Sequence, residues 1–157
     1  ALVKLEEKYN VQIITQNVDD LHERAGSANV MHLHGVITKS QSDVDATLTY
    51  PINGWELQET DLCEHGKPLR PHVVWFGEDV PMMYEASKLC RQADIFAVIG
   101  TSLQVYPAAG LTSYVSRSAT KYVIDPKAPA FDKGVISISK TATQGVPEWV
   151  SQLLGGD

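Results

Sequence analysis

Three features of the 157-residue sequence predict an α/β fold, a parallel sheet with helices on both faces. Short apolar runs recur along the chain, amphipathic segments of helical spacing alternate with them, and composition is that of an ordinary globular protein, 43% hydrophobic and 20% charged. Continuous apolar strands, as opposed to strictly alternating ones, mark parallel strands buried on both sides by crossover helices.

The elements follow in order. Leu2, Leu5 and Tyr9 recur at helical spacing, Asn10 suits a helix end, and Val11-Gln12-Ile13-Ile14 reads as the strand that follows. Ala86 to Ala93 reads as a helix and Ile95 to Ile99 as a buried strand closed by Gly100. A helix opened by proline is expected over Pro107–Arg117, with strands at Lys121–Ile124 and Gly134–Ile138. The last helix is expected over Pro147–Leu154, with Val146, Trp149, Val150 and Leu153 or Leu154 on one face. The stretch from Val36 to Arg70 breaks this rhythm, being rich in Ser, Thr and Asp and carrying the turn Pro51-Ile52-Asn53-Gly54. The expected organisation is therefore a main domain of residues 1–36 and 71–157 with a small irregular or β-rich insertion at 37–70.

Composition excludes several function classes. Thirteen Lys+Arg against 19 Asp+Glu give a net charge of −6, so no basic face is available for nucleic acid. No apolar run approaches the roughly 18 residues of a membrane span, and the mixed charges of Ala1–Lys8 are unlike a secretory signal. A soluble cytoplasmic protein is expected. The two cysteines form no CxxC pair. Cys90 shares a helical pattern with Met82, Ala86, Leu89 and Ala93 and reads as a core residue; Cys63, near Asp61 and His65, lacks the partners of a closed metal site. No metal is expected. The eleven glycines include no pair two apart, so the GxGxxG fingerprint of dinucleotide folds is missing, which leaves either a fold without a dinucleotide or one whose first βα unit is not in this chain.

Four clusters carry candidate chemistry. Thr15-Gln16-Asn17-Val18-Asp19-Asp20-Leu21-His22-Glu23-Arg24-Ala25-Gly26 follows the first strand, where open α/β sheets bind ligands, although Asn17 or Asp19 can equally cap a short helix. In His32-Leu33-His34-Gly35, alternation puts both histidines on one face if the piece is extended. Each is open to reading as a structural residue, a catalyst or, with Asp19 and His22, a metal ligand. Leu69-Arg70-Pro71-His72-Val73-Val74-Trp75-Phe76-Gly77-Glu78 combines an apolar ridge with a turn and can present an edge to an extended peptide. Gly100-Thr101-Ser102 ends another strand and offers backbone and hydroxyl donors to phosphate or ribose.

Taken together, TQNVDDLHERAG at 15–26, HLHG at 32–35, RPHVVWFGE at 70–78 and GTSLQVYPAAG at 100–110 resemble the sirtuin family of NAD-dependent protein-lysine deacylases. Their order and spacing match over nearly the whole chain, in a form similar to bacterial members that lack the zinc cysteines. The resemblance implies a Rossmann-like fold whose first βα unit, with the family's glycine-rich cofactor loop, is absent from this chain. It implies that the chain alone is inactive for want of that unit. It implies NAD as cofactor and acyl-lysine proteins or peptides as substrates, giving nicotinamide and O-acyl-ADP-ribose. Gln16, Asn17 and Asp19 then match the nicotinamide and ribose pocket, and His34 the general base, with Asn17 and Asp19 assisting. An imidazole suits that task because its ordinary pKa of about 6.5 lies near neutral pH. Gly100, Thr101 and Ser102 match the phosphate and ribose loop, Asp125 the adenosine-ribose contact where the family usually has Asn, and Ala142 a contact near adenine. Val74, Phe76 and Gly77, with Val105 opposite, match the acyl-lysine channel. Competing readings are a mono-ADP-ribosyltransferase and a non-catalytic fragment that binds peptide or ADP-ribose.

Overall fold

The computed structural model describes residues 1–101, 105–127 and 134–155. Ser102, matched above to the phosphate loop, lies outside them. Helix α1 (Leu2–Leu5) buries Leu5 and precedes strand β1 (Ile13–Thr15). Helix α2 (Leu21–Arg24) then leads to strand β2 (Val30–His32), which pairs with β1 in parallel, Ile13 opposite Val30 and Thr15 opposite His32. A parallel pair needs a crossover, and residues 16–29 with α2 supply it.

From Gly35 to Val73 the chain forms an antiparallel sheet. Strand β3 (Gly35–Ser42) lies between β4 (Thr49–Pro51) and β5 (Leu69–Val73), with a register shift between Gly35 and Ser40. An Asx turn shapes the β3–β4 connection: Asp45 Oδ1 accepts the Thr47 N–H at 2.9 Å and the Thr47 hydroxyl at 2.6 Å.

The remainder alternates helix and strand. Helix α3 (Met83–Gln92) precedes β6 (Ile95–Ile99), a 3₁₀ helix spans Ala108–Tyr114, and β7 (Thr120–Ile124) and β8 (Val135–Ile138) precede helix α4 (Ala142–Leu154). Strands β6, β7 and β8 form a parallel sheet in that order. Among the described residues β1 pairs only with β2, and β6 only with β7, so the parallel strands fall into two sheets.

Two apolar cores cover the opposite faces. On one, Leu33, Ala86, Cys90, Leu111 and Val115 pack with Ile14, Met31 and Phe96, joining both parallel sheets to α3 and the 3₁₀ helix. On the other, Leu5, Ile124, Val146, Trp149 and Val150 pack with Ile95, Ala97 and Ile99, joining α1 and α4. The period of two in β6 sends Phe96 to the first core and its neighbours to the second. Helices on both faces of parallel strands thus agree with the expected Rossmann-like α/β class.

Three helices depart from expectation: α1 ends at Leu5, short of the Asn10 expected to close it, and two others differ further along the chain. The segment after Pro107 is a 3₁₀ helix ending at Tyr114, not an α-helix to Arg117. The Gly110 N–H bonds Pro107 O three residues back, and the Thr112 and Ser113 hydroxyls bond the carbonyls of Ala109 and Gly110. Small hydroxyl side chains that bond nearby carbonyls favour the tighter turn. The last helix begins at Ala142, five residues before Pro147. Proline favours a first-turn position, which makes it a natural start signal in sequence. Here Pro147 is accommodated because the carbonyl it leaves unbonded, four residues back, belongs to exposed Thr143 and can reach water.

Gly145 in α4 lies against the sheet so closely that a Cβ would fall 2.6 Å from Ile124 Cγ2 and 3.3 Å from Ile138 Cγ2. Ile124 is 0% exposed and cannot swing into solvent. Gly145→Ala is expected to destabilise the fold by about 1–3 kcal/mol through overpacking, despite alanine's better helix propensity, as read from a urea unfolding midpoint.

Candidate active site

The polar segment after β1 is held by its own carbonyls. Gln16 O accepts from His34 Nδ1 at 3.1 Å, Asn17 O from His32 Nδ1 at 3.1 Å, and Val18 O from the Ile37 N–H at 2.7 Å. Buried Thr15 adds a fourth restraint, its Oγ1 accepting the Asn17 N–H at 3.1 Å. Asp19 Oδ1 accepts the Leu21 N–H at 3.1 Å and so shapes the entry to α2, while Arg24 reaches Asp20 at 4.0 Å. The side chains of Gln16 and Asp19 are half-buried and that of Asn17 is exposed, on a backbone fixed from beneath.

His32 and His34 both face this segment even though the strand ends at His32 and residues 33–34 turn. Leu33 between them is 1% exposed and sits in the core that also contains Phe96, so the two imidazoles are anchored by an apolar plug. A carbonyl can only accept, so His34 Nδ1 carries the proton in its bond to Gln16 O. In the neutral ring Nε2 is then the basic lone pair.

Gly35 connects this corner to the antiparallel sheet. It has φ +79°, and a Cβ there would lie 2.1 Å from His72 O, so the backbones of β3 and β5 meet where only glycine fits. The Val74 N–H donates to His34 O at 2.9 Å, which sets the turn after β5 in register with the imidazole. Arg70 and Glu78 brace that turn: Arg70 Nη2 meets Glu78 Oε1 at 2.9 Å, Nη1 donates to Val73 O at 3.0 Å, and Glu78 Oε2 accepts the Trp75 N–H at 3.0 Å. The Trp75 N–H first, and then the Arg70 guanidinium, hold the Glu78 carboxyl below the usual carboxylate range. Phe76 at the tip is 99% exposed and Val105 is 44% exposed.

A second group of residues lies at the carboxyl ends of β6, β7 and β8. The Gly100 N–H donates to Ile124 O at 3.0 Å and the Asp125 N–H to Ile138 O at 3.2 Å, placing both just beyond paired strands. Gly100 has φ +61°, and among the described residues outside its chain neighbours no atom lies within 4 Å of a Cβ built there. Thr101 beside it is half-buried. Asp125 Oδ1 accepts the Lys127 N–H at 2.8 Å, and Ala142 is the exposed first residue of α4. Among the described residues no three His, Cys, Asp or Glu side chains are grouped to hold a metal ion.

Sequence reasoning missed Glu23, Arg70 and Glu78 as structural partners of the site. Glu23 Oε1 lies 2.7 Å from His32 Nε2, nine residues away, and the Arg70–Glu78 pair spans eight. An offset of that size carries no periodic signal; only the charge complementarity across the 74–77 turn hinted at the second pair.

The Sir2 family model matches residues 1–107. The NAD-dependent protein deacylase of Aggregatibacter actinomycetemcomitans is 56% identical over 126 residues, covering 80% of this chain and 60% of that protein. The one from Helicobacter pylori is 45% identical, covering 98% of this chain and 66% of that protein. The chain therefore spans less than two thirds of the length of these two relatives. Among solved structures, a Sir2 homologue in complex with NAD superposes with a TM-score of 0.84 at 33% identity, covering 96% of this chain and 61% of that one. A Sir2 complex with the inhibitor EX-527, 2'-O-acetyl-ADP-ribose and deacetylated p53 peptide gives 0.73 at 34% identity, covering 98% and 67%.

His72 in β5 donates from Nδ1 to Gln41 Oε1 at 2.7 Å. Burial, helped by the Lys39 and Arg70 cations, pushes its pKa below the ordinary 6.5. The unfolded chain therefore binds the proton more readily than the folded one, and this part of the stability is present above that value and lost as pH falls below it. The urea midpoint is expected to drop between about pH 7.5 and about pH 5.5, and the drop to shrink in His72→Gln.

Proposed function

The chain belongs to the Sir2 family, and from that premise we propose that the whole protein removes acyl groups from lysine side chains of proteins or peptides using NAD. The observation that carries the proposal is the His34 bond to Gln16 O, which commits Nδ1 as donor and frees Nε2 as base. The relatives whose names describe NAD-dependent deacylation share this chain's sequence at 45–56% identity, which supports the same assignment here.

The groups present suit a nicotinamide-bearing dinucleotide. Gly100 offers a positive-φ turn at a strand end, Asp125 a carboxylate acceptor for ribose hydroxyls, and Gln16, Asn17 and Asp19 a row of amide and carboxylate partners on a fixed backbone. When bound, NAD supplies a ribosyl carbon that takes the acyl oxygen as nicotinamide leaves. His34 Nε2 would accept the proton of a ribose hydroxyl as that oxygen bonds the former acyl carbonyl carbon, from which the lysine nitrogen then departs. Asn17 and Asp19 orient the amide and ribose without competing as nucleophiles. The 74–77 turn, tied to His34 O through Val74, guides the acyl-lysine toward the same imidazole, with Val74, Phe76, Gly77 and Val105 as its apolar walls. Residues 37–70 act as a separate small module beside this cleft. Both cysteines are free and buried, which supports residence in a reducing cytoplasm.

Two outcomes test the assignment in the full-length protein. His34→Ala is expected to leave the melting temperature within a few degrees and to lower NAD-dependent deacylation by roughly 10²–10⁴, the range for a lost general base. Wild-type turnover in that variant would remove the role. Asp125 is expected to oppose a 2'-phosphate by charge, so calorimetry should find NADP bound at least about tenfold more weakly than NAD, a difference of about 1.4 kcal/mol; equal affinities would count against its placement on the adenosine ribose.

A further inference from the structure

We propose that His32 and Glu23 form a latch that positions the Gln16–Val18 backbone, making His32 a positioning residue for the nicotinamide side of the site; this rests on the reading of that site given above. The imidazole of His32 spans two acceptors. Nδ1 donates to Asn17 O at 3.1 Å and Nε2 meets Glu23 Oε1 at 2.7 Å. Its side chain is 13% exposed, whereas that of Glu23 is 43% exposed, so the pair runs from the protein's interior edge to its surface.

A carbonyl and a carboxylate both accept, so the ring nitrogens of His32 are the donors that face them. His34, two residues on, has among the described residues one ring bond, from Nδ1 to Gln16 O. Neighbouring imidazoles on the same support therefore do different work: His34 keeps a lone pair for chemistry, and His32 spends both nitrogens on structure. Although partial burial opposes it, the bond from His32 holds the Glu23 carboxyl below its usual range.

The positioning follows from connectivity. Asn17 O is the middle one of three consecutive bonded carbonyls, and Asn17 is a residue assigned to the ribose and nicotinamide. Losing the His32 bond frees the peptide plane between Asn17 and Val18. Glu23 belongs to α2, whose entry Asp19 shapes, so the latch also ties the far end of the segment to its start. None of these bonds touches the 74–77 turn, so the latch acts on the NAD side and leaves the acyl-lysine side in place.

The test uses His32→Ala, Glu23→Ala, the double variant and Glu23→Gln in the full-length protein. The glutamine can still bond Nε2, as donor or acceptor, whereas alanine cannot. The alanine variants are expected to lose about tenfold or more in kcat/KM for NAD, the scale of a lost charge-assisted bond, with KM for the acyl-peptide unchanged. The double variant should lose no more than the single ones, because both remove one coupled unit, and Glu23→Gln should recover most of the loss. Amide hydrogen exchange at residues 16–18 should rise in all three alanine variants. Equal losses toward NAD and peptide that follow a falling melting temperature, additive losses, or unchanged exchange at 16–18 would overturn the latch. Exchange is read without turnover, so a wild type lacking NAD-dependent deacylation would sink the function proposed above and leave this test standing.

Discussion

Three consecutive carbonyls, those of Gln16, Asn17 and Val18, set the geometry on which the candidate site depends. Each is taken by a donor from the segment 32–37, two by imidazoles and one by a backbone N–H. A loop after a parallel strand ordinarily leaves such groups to water, and water holds nothing in place. Here the carbonyls are committed inward, so the Gln16, Asn17 and Asp19 side chains are presented outward from a backbone with few alternatives. The same bonds fix the tautomer of His34, so restraint of the loop and basicity of Nε2 come from one contact.

The other side of the His34 corner is set by a steric rule. Gly35 lets β3 and β5 approach to a distance that would put a Cβ 2.1 Å from His72 O. That approach carries Val74 to the carbonyl of His34, so the 74–78 turn takes its register from the residue whose side chain faces the loop. Arg70 and Glu78 then close the turn from within the same strand and its exit. The imidazole is thus referenced on one side by its ring and on the other by its peptide group, which defines its distance to both the 16–18 segment and the 74–78 turn.

Much of the architecture was legible because burial imposes period on sequence. Ile95–Ile99 and Lys121–Ile124 read as strands because apolar side chains cover both faces, and the cores show which residue meets which face. His32 and His34 were singled out together, and the structure puts both rings on one loop. What escaped was set by competition among short-range bonds or by long-range pairing. The 3₁₀ helix at Ala108–Tyr114 reflects hydroxyls bonding carbonyls three residues back, which apolar spacing does not encode. The start of α4 was hidden because Pro147 mimics a first-turn residue. The His32–Glu23 and Arg70–Glu78 pairs join residues whose spacing follows neither strand nor helix, so only three dimensions reveal them.

The antiparallel sheet raises a separate question of what holds a segment with so few large apolar side chains. Ser40, Gln41 and Ser42 are all buried in β3, where a strand of this kind would normally place Val or Ile. Each finds a partner: Ser40 donates to Tyr50 O at 3.5 Å, Gln41 accepts from His72, and Ser42 donates to Cys63 Sγ at 3.4 Å. Cys63 is itself fixed by its N–H to Lys67 O at 2.8 Å and its carbonyl to the Gly66 N–H at 2.8 Å. A buried polar row is costly when partly bonded and selective when complete, because any slip in register would strand all three groups at once. The sheet is therefore specified by hydrogen-bond satisfaction more than by apolar area. Because His72, which Gln41 bonds, lies in β5 between Pro71 opposite Ser40 and Val73 opposite Gly35, the same row keeps β3 and β5 aligned where they meet the His34 corner.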